Sequence, residues 1–165
     1  MSRGFRQIPS PIGPLTLVAE SEGLCGVYFE AHQHPPRYIG IEREDDPIIE
    51  LATRELQEYF DRRRERFSVP LYLEGTDFQI KVWQQLQQID FGETLRYRDI
   101  AENMEHPFAV RAVGAAIGKN PLSIIIPCHR VLGSDGSLTG FAGGTDRKQW
   151  LLNHERPLQM SLFEF

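Results

Sequence analysis

Apolar and polar positions change period along this chain, and the changes divide it. Leu15 to Ala19 and Leu24 to Phe29 are short apolar or alternating runs bounded by Ser10-Pro11-Ile12-Gly13 and Ser21-Glu22-Gly23, the pattern of strands between turns. From Pro47 the period becomes helical: Ile48, Leu51, Ala52, Leu56, Tyr59 and Phe60 recur three and four apart, Pro47 suits a first turn, and the helix should end near Arg62. Val69, Leu71 and Leu73 then alternate as a last strand before Glu74-Gly75 breaks the pattern. Residues 1–74 therefore read as an α/β domain, a small sheet with one helix.

Residues 75–156 read as a second, mainly α domain. A helix capped by Thr76 or Asp77 carries Phe78, Val82, Trp83, Leu86 and Ile89 on one face, with Trp83 in the core. Phe91 to Thr94 is a turn, Tyr97 to Asn103 a short helix, and Phe108 to Ile117 another, ended by Gly118. Two short helices in that order resemble a helix-turn-helix. The second is nearly bare: Ala109, Ala112, Gly114, Ala115 and Ala116 leave Arg111 as its one long charged side chain. Such a helix can pack closely on a neighbour, or lie near a DNA groove with one arginine projecting. Ile124, Ile125 and Ile126 read as a buried strand that must stop at Pro127, which cannot donate to a ladder. Gly133 to Gly136 reads as a hairpin turn. Thr145 caps a last helix that turns Trp150, Leu151 and Leu152 to the core, and Pro157 stops it, leaving residues 157–165 as a tail.

The 165 residues are 41% hydrophobic, enough for a packed core. The net charge of -5 argues against a nucleic-acid partner only as a single number. Between Ala109 and Arg156 there are six cations and three anions, whereas residues 1–108 hold 12 cations and 19 anions. A basic region beside an acidic one is what a DNA-contacting domain with a passive companion shows. Met1 to Ile8 has two arginines and no apolar run, and no stretch approaches a membrane span, so a cytoplasmic protein with no membrane partner is expected. Arg62 to Arg66 is a solvated helix end before it is a phosphate site, and His32 and His34 are solvated loop residues.

Cys25 and Cys128 are far apart and match no metal-ligand spacing; Cys25 reads as a small buried hydrophobe. Cys128 is different because it follows the isoleucine run directly and precedes His129 and Arg130. A thiol attacks as thiolate, and a neighbouring imidazole or cation promotes that form. In an extended segment His129 would point away from Cys128, so it reaches the sulfur only if the backbone turns after Pro127 or a water relays the proton. Three readings stay open on these residues: a structural cysteine in a DNA-binding regulator, a thiol hydrolase using Cys128, His129 and Glu155, and a cysteine that accepts a group itself.

Arg111-Ala112-Val113-Gly114, Asn120-Pro121, Pro127-Cys128-His129-Arg130 and Phe141-Ala142-Gly143-Gly144, in that order and spacing, resemble the signature of the methylated-DNA-protein-cysteine methyltransferases, the O6-alkylguanine repair proteins. The resemblance runs from about Gly75 to Glu155 and thins toward the N-terminus. It implies an RNase H-like fold for the first domain and a winged helix-turn-helix in the second. It implies irreversible transfer of an alkyl group from O6-alkylguanine, and from O4-alkylthymine, in double-stranded DNA to Cys128, once per molecule, by a monomer without cofactor. By the same resemblance His129 is the base, Glu155 orients it, Asn120 braces the turn, and Tyr97 contacts the flipped nucleotide and offers a proton. Arg111 fills the vacated stack, with Ala112 and Gly114 against the DNA. Backbone groups of Cys128 and Val131 hold the guanine edge, Phe141 walls it, and the Ala142 N–H faces O6. Most relatives carry Tyr at the Phe141 position and some carry Ser at Ala142. Some relatives bind zinc in the first domain, but Phe5 and Glu20 stand where thiolates are needed, so no metal is expected.

One tail motif is outside that chemistry. Gln159, Met160, Ser161, Leu162 and Phe163 resemble the short peptide with which bacterial repair proteins dock on the DNA sliding clamp, a tether that raises local concentration at DNA. The alternative is that these residues fold back onto the protein's own surface.

Overall fold

A computed structural model of the chain describes residues 3–32, 34–36, 38–138 and 141–156; Gln159, Met160, Leu162 and Phe163 lie outside the described residues. Strand β1 (Gly4–Ile8) pairs antiparallel with β2 (Leu15–Glu20), and β2 with β3 (Gly23–Phe29). A two-residue β4 (Ile41–Glu42) joins β1 in parallel, giving the order β3-β2-β1-β4. Strand β1 escapes the sequence pattern because Gly-Phe-Arg-Gln-Ile holds too few apolar positions to show a period. Helix α1 (Pro47–Phe60) covers the sheet with a stripe of Ile49, Ala52, Leu56 and Tyr59, all fully buried. Asp46 caps it, accepting from the Ile48 and Ile49 N–H groups at 2.9 and 3.1 Å, with Pro47 at the first position. Burying each large aliphatic side chain contributes about 1.5–3 kcal/mol, so the stripe rather than helix propensity holds α1 in place.

The open edge of β3 is closed by two passing segments. Leu24 N–H donates to the Pro70 carbonyl and Tyr72 N–H to the Leu24 carbonyl, both at 2.8 Å. The predicted strand over Val69 to Leu73 is thus a single bridge between Leu24 and Leu71, because Pro70 has no N–H with which to extend a ladder. Gly23 permits this approach: a Cβ there would sit 2.7 Å from the Leu71 carbonyl carbon. Further along, Val27 donates to the Pro121 carbonyl at 2.8 Å and accepts from Ser123 N–H at 3.3 Å. That second seam joins the sheet to the segment carrying Cys128.

Helices α2 (Asp77–Leu86), α3 (Tyr97–Asn103) and α4 (Val110–Gly118) pack on one another. Thr76 and Gln79 form a reciprocal capping box at the start of α2, at 3.0 and 3.1 Å. Trp83, 2% exposed, donates its indole N–H to the Ala116 carbonyl at 2.9 Å, a contact that the small residues of α4 allow. Helix α4 begins at Val110 rather than Phe108, since His106 to Ala109 forms a turn closed by Ala109 N–H on the His106 carbonyl, leaving Phe108 wholly exposed. Strand β5 (Leu95–Arg96) pairs in parallel with β6 (Val131–Leu132). The turn at Gly133 to Gly136 forms, but it closes no hairpin, because β6 pairs with β5 instead.

Helix α5 (Thr145–His154) is capped by Gly144 at φ 92°, not by Thr145. Its core face is Lys148, Leu151 and His154, while Trp150 and Leu152 are half-buried. Among the described residues no helix is long and apolar enough to cross a membrane. His32 is buried rather than solvated; its Nδ1 accepts from the Phe29 N–H at 3.2 Å, and burial pulls its pKa down to about 4. Of the arginine run, Arg63 pairs with Asp61, Arg64 with Glu58 and Arg66 with Asp90.

Candidate active site

The isoleucine run is buried but is not a strand. Ile126 N–H donates to the Leu122 carbonyl at 2.9 Å, and Ile124, 1% exposed, takes φ 74°. A β-branched residue in the left-handed region costs about 1–3 kcal/mol and persists only where its surroundings over-determine it. Here they do. Asn120, 3% exposed, donates Nδ2–H to the Ile126 carbonyl and accepts Leu122 N–H on Oδ1, each at 2.9 Å, spanning the turn from both ends.

The chain then reverses at Pro127. Its φ of -79° and ψ of 66° are those of an inverse γ-turn, closed by Cys128 N–H on the Ile126 carbonyl at 2.7 Å. Proline's restricted φ suits the central position of that turn. Cys128, His129 and Arg130 follow as one turn of 3-10 helix, with Arg130 N–H on the Pro127 carbonyl. The strand expected over the isoleucines does not form, and of the two routes left open to His129 the backbone takes the first, turning directly after Pro127. All three residues are buried, at 5%, 0% and 5% exposure.

Glu155, 2% exposed at the end of α5, gathers the donors of this turn. His129 Nε2 lies 2.7 Å from Oε2, and Arg130 donates Nε–H to Oε1 at 2.8 Å and Nη2–H to Oε2 at 3.0 Å. Arg130 also donates to the Ile89 carbonyl at 2.6 Å and covers the Phe91 ring. Arg130 is therefore committed to the carboxylate rather than aimed at Cys128. Burial alone would raise the Glu155 carboxyl, but His129 and Arg130 outweigh it and hold it well below the usual range. An ionised Glu155 fixes the imidazole tautomer: Nε2 carries the proton it donates, and Nδ1 carries the lone pair. Nδ1 is buried with no hydrogen-bond partner among the described residues.

Burial pushes the Cys128 thiol up, opposed by a hydrogen bond from Asn120, by the positive charge of Lys148 and by the N–H groups of Cys128 and His129. Burial also pulls His129 down, against the pull of Glu155. The resting pair is thus a neutral thiol and a neutral imidazole.

Two residues of this centre carry no role in the sequence reading. Lys148, 1% exposed, donates Nζ–H to the Val131 carbonyl at 2.6 Å, and burial lowers its pKa to about 8. Tyr59 of α1 donates its hydroxyl to Glu155 Oε2 at 2.6 Å. The signal for Lys148 lies in its spacing, since Lys148, Leu151 and Glu155 fall three and four apart. Tyr59 sits in an apolar stripe and is indistinguishable there from core.

The remaining candidates lie around this centre. Tyr97 opens α3 directly after β5, the strand paired with Val131 and Leu132, and its ring lies 3.9 Å from where a Cβ on Gly114 of α4 would stand. Arg111 and Ala112 are exposed on α4. Phe141 and Ala142 are buried, with the Phe141 ring 5.7 Å from that of Phe29. Among the described residues no cluster of His, Cys, Asp or Glu could hold a metal ion.

Residues 77–157 match the family model described as 6-O-methylguanine DNA methyltransferase, DNA binding domain, and residues 5–73 that of its ribonuclease-like domain. The methylated-DNA–protein-cysteine methyltransferase of Haemophilus influenzae is 43% identical over 153 residues, 92% of this chain and 86% of the relative. That of Mycolicibacterium paratuberculosis is 42% identical over 163 residues, covering 97% and 98%. A crystal structure of Mycobacterium tuberculosis OGT in complex with DNA superposes with a TM-score of 0.84 at 41% identity, over 98% of this chain and 99% of that one. The O6-methylguanine DNA methyltransferase of Methanococcus jannaschii gives a TM-score of 0.63 at 28% identity, over 92% and 93%.

Proposed function

The chain belongs to the 6-O-methylguanine DNA methyltransferase family, and on that premise we propose that it repairs O6-alkylguanine, and O4-alkylthymine, in duplex DNA by moving the alkyl group to its own Cys128. The observation that carries the assignment is that Cys128, directly after the γ-turn at Pro127, is buried beside an imidazole held by Glu155 through Nε2, with Nδ1 left without a partner among the described residues. The thiol proton passes to Nδ1 of His129, directly or through a water, and Glu155 stabilises the imidazolium that forms. The sulfur attacks the alkyl carbon in line, the C–O6 bond breaks, and its electron pair stays on the base. A proton returns to the base as it leaves, with the Tyr97 hydroxyl as donor. The product thioether is stable, and Cys25, the other cysteine, is buried away in β3, so nothing regenerates Cys128.

DNA binding is assigned to α3 and α4 as the two helices of a winged helix-turn-helix, with Arg111 replacing the extruded base and Ala112 and Gly114 letting the backbone approach the groove. The exposed face of α4 supports this reading. Val131, Phe141 and Ala142 form the base pocket. The protein is proposed to act as a monomer. The tail residues Gln159, Met160, Leu162 and Phe163 are proposed to tether the protein to a sliding clamp; a Leu162→Ala, Phe163→Ala variant should lose binding to purified clamp, and equal binding by both forms would remove the tether.

Stoichiometry tests the main assignment. With excess duplex containing O6-methylguanine, guanine should be restored in an amount equal to the protein and then stop, and Cys128→Ser should restore none. Continued turnover would point to hydrolysis instead.

A further inference from the structure

Helix α1 enters the active site through one residue that the reaction above does not use. Tyr59, fully buried, aims its hydroxyl at Glu155 Oε2 from 2.6 Å, and its own carbonyl accepts from His154 Nε2 at 2.9 Å. Its ring is fixed by His154 at 5.0 Å, Phe67 at 5.7 Å and Phe91 at 6.1 Å between centroids, so the hydroxyl has no other aim. The oxygen it meets is the one that faces His129.

We propose that Tyr59 is a positioning residue for alkyl transfer: by donating to the Glu155 oxygen that faces His129, it limits how strongly that carboxylate holds an imidazolium. The proposal rests on the Cys128–His129–Glu155 relay of the preceding section. Each donor on Oε2 spreads the carboxylate charge and weakens its pull on the neighbouring proton. The groups facing this cluster are Cys128 and Arg130 from the 3-10 turn, Lys148 and His154 from α5, Tyr59 from α1 and Arg62 just beyond it. Arg130 and Lys148 already oppose an imidazolium by their charge. Tyr59 acts by hydrogen bonding alone, because burial and the Glu155 charge push its phenol far above the ordinary range and keep it protonated. Without this donor Glu155 becomes more basic, His129 holds its proton to higher pH, and less of it is free to accept the thiol proton on the acid side of neutrality.

Tyr59→Phe keeps the ring and removes only the hydroxyl. Methyl transfer from O6-methylguanine duplex, followed in a single turnover from pH 5 to 9, should show its acid limb moved up by roughly half to one pH unit. Rates well below the limb should fall about three- to tenfold, with the alkaline plateau within about twofold of the original. An NMR titration of the His129 imidazole in the full chain should show the same upward shift. Replacing Tyr59 with 3-fluorotyrosine, which preserves the packing and donates more strongly, should move the midpoint down. A rate lowered equally at all pH values, with the His129 midpoint unmoved in both substituted proteins, would overturn the proposal and leave Tyr59 as packing. If the unaltered protein transfers no methyl group, the repair assignment fails, while the His129 titration still decides the role of Tyr59.

Discussion

Replacing Asn120 with Ala removes the brace across the turn that presents Cys128. Its side chain donates to the Ile126 carbonyl and accepts the Leu122 N–H, each at 2.9 Å, and hydrogen-bonds the Cys128 sulfur. The Ile126 carbonyl keeps Cys128 N–H as a partner, but the buried Leu122 N–H is left without its acceptor. One stranded donor at about 1–3 kcal/mol and one lost neutral hydrogen bond at about 1 kcal/mol give a destabilisation of roughly 3 kcal/mol. For a chain of this length that lowers the melting temperature by roughly 6–12 °C. The strain held at Ile124 makes the turn free to relax once the brace is gone, so reactivity falls together with stability. The assay pairs thermal unfolding by circular dichroism with the rate of methyl transfer, and with alkylation of Cys128 by iodoacetamide across pH. Loss of the Asn120 donor should move the thiol's titration to higher pH. A melting temperature within about 2 °C of the original, with transfer and thiol titration unchanged, would refute the role given to Asn120.

Lys148 should mark the pH dependence of stability. Its folded pKa of about 8 lies below its ordinary 10.5, so the unfolded chain binds more protons between those values, and stability from this group rises as pH climbs through that window. Urea unfolding of the original protein and of Lys148→Met should therefore converge or cross by up to about 3 kcal/mol from pH 8 to 10.5, and a flat difference would contradict the burial argument. Arg111→Ala should slow repair in duplex DNA by roughly tenfold or more while leaving reaction with the free modified base nearly unchanged, because the arginine compensates unstacking worth a few kcal/mol. Equal losses on both substrates would remove Arg111 from base extrusion.

The helices were legible in the sequence, and the turn that matters most was not. Periodicity placed α1 and α2 because each buries a stripe at helical spacing, and the cap at Thr76 comes from a side chain with known local chemistry, whereas the Asp46 cap went unread before Pro47. The run Ile124 to Ile126 carries the composition of a strand, yet it lies within a turn braced by Asn120 and closed by a γ-turn at Pro127. That outcome depends on the seam with Val27 of β3, which no local window contains. The family motifs pointed to Cys128, His129, Asn120 and Glu155, which the fold brings into one buried cluster. Tyr59 and Lys148 join that cluster from elements whose own patterns read as packing. The place of Tyr59 becomes visible only when 96 residues of separation from Glu155 close to a hydrogen bond.

The central claim is that the alkyl carbon ends on the sulfur of Cys128. The protein is incubated with duplex containing a single O6-methylguanine bearing an isotopically labelled methyl group, then digested and mapped by mass spectrometry. The account predicts one labelled methyl per protein on the peptide carrying Cys128, none on that carrying Cys25, and no label in free methanol. Label in methanol, or on any residue other than Cys128, would contradict it.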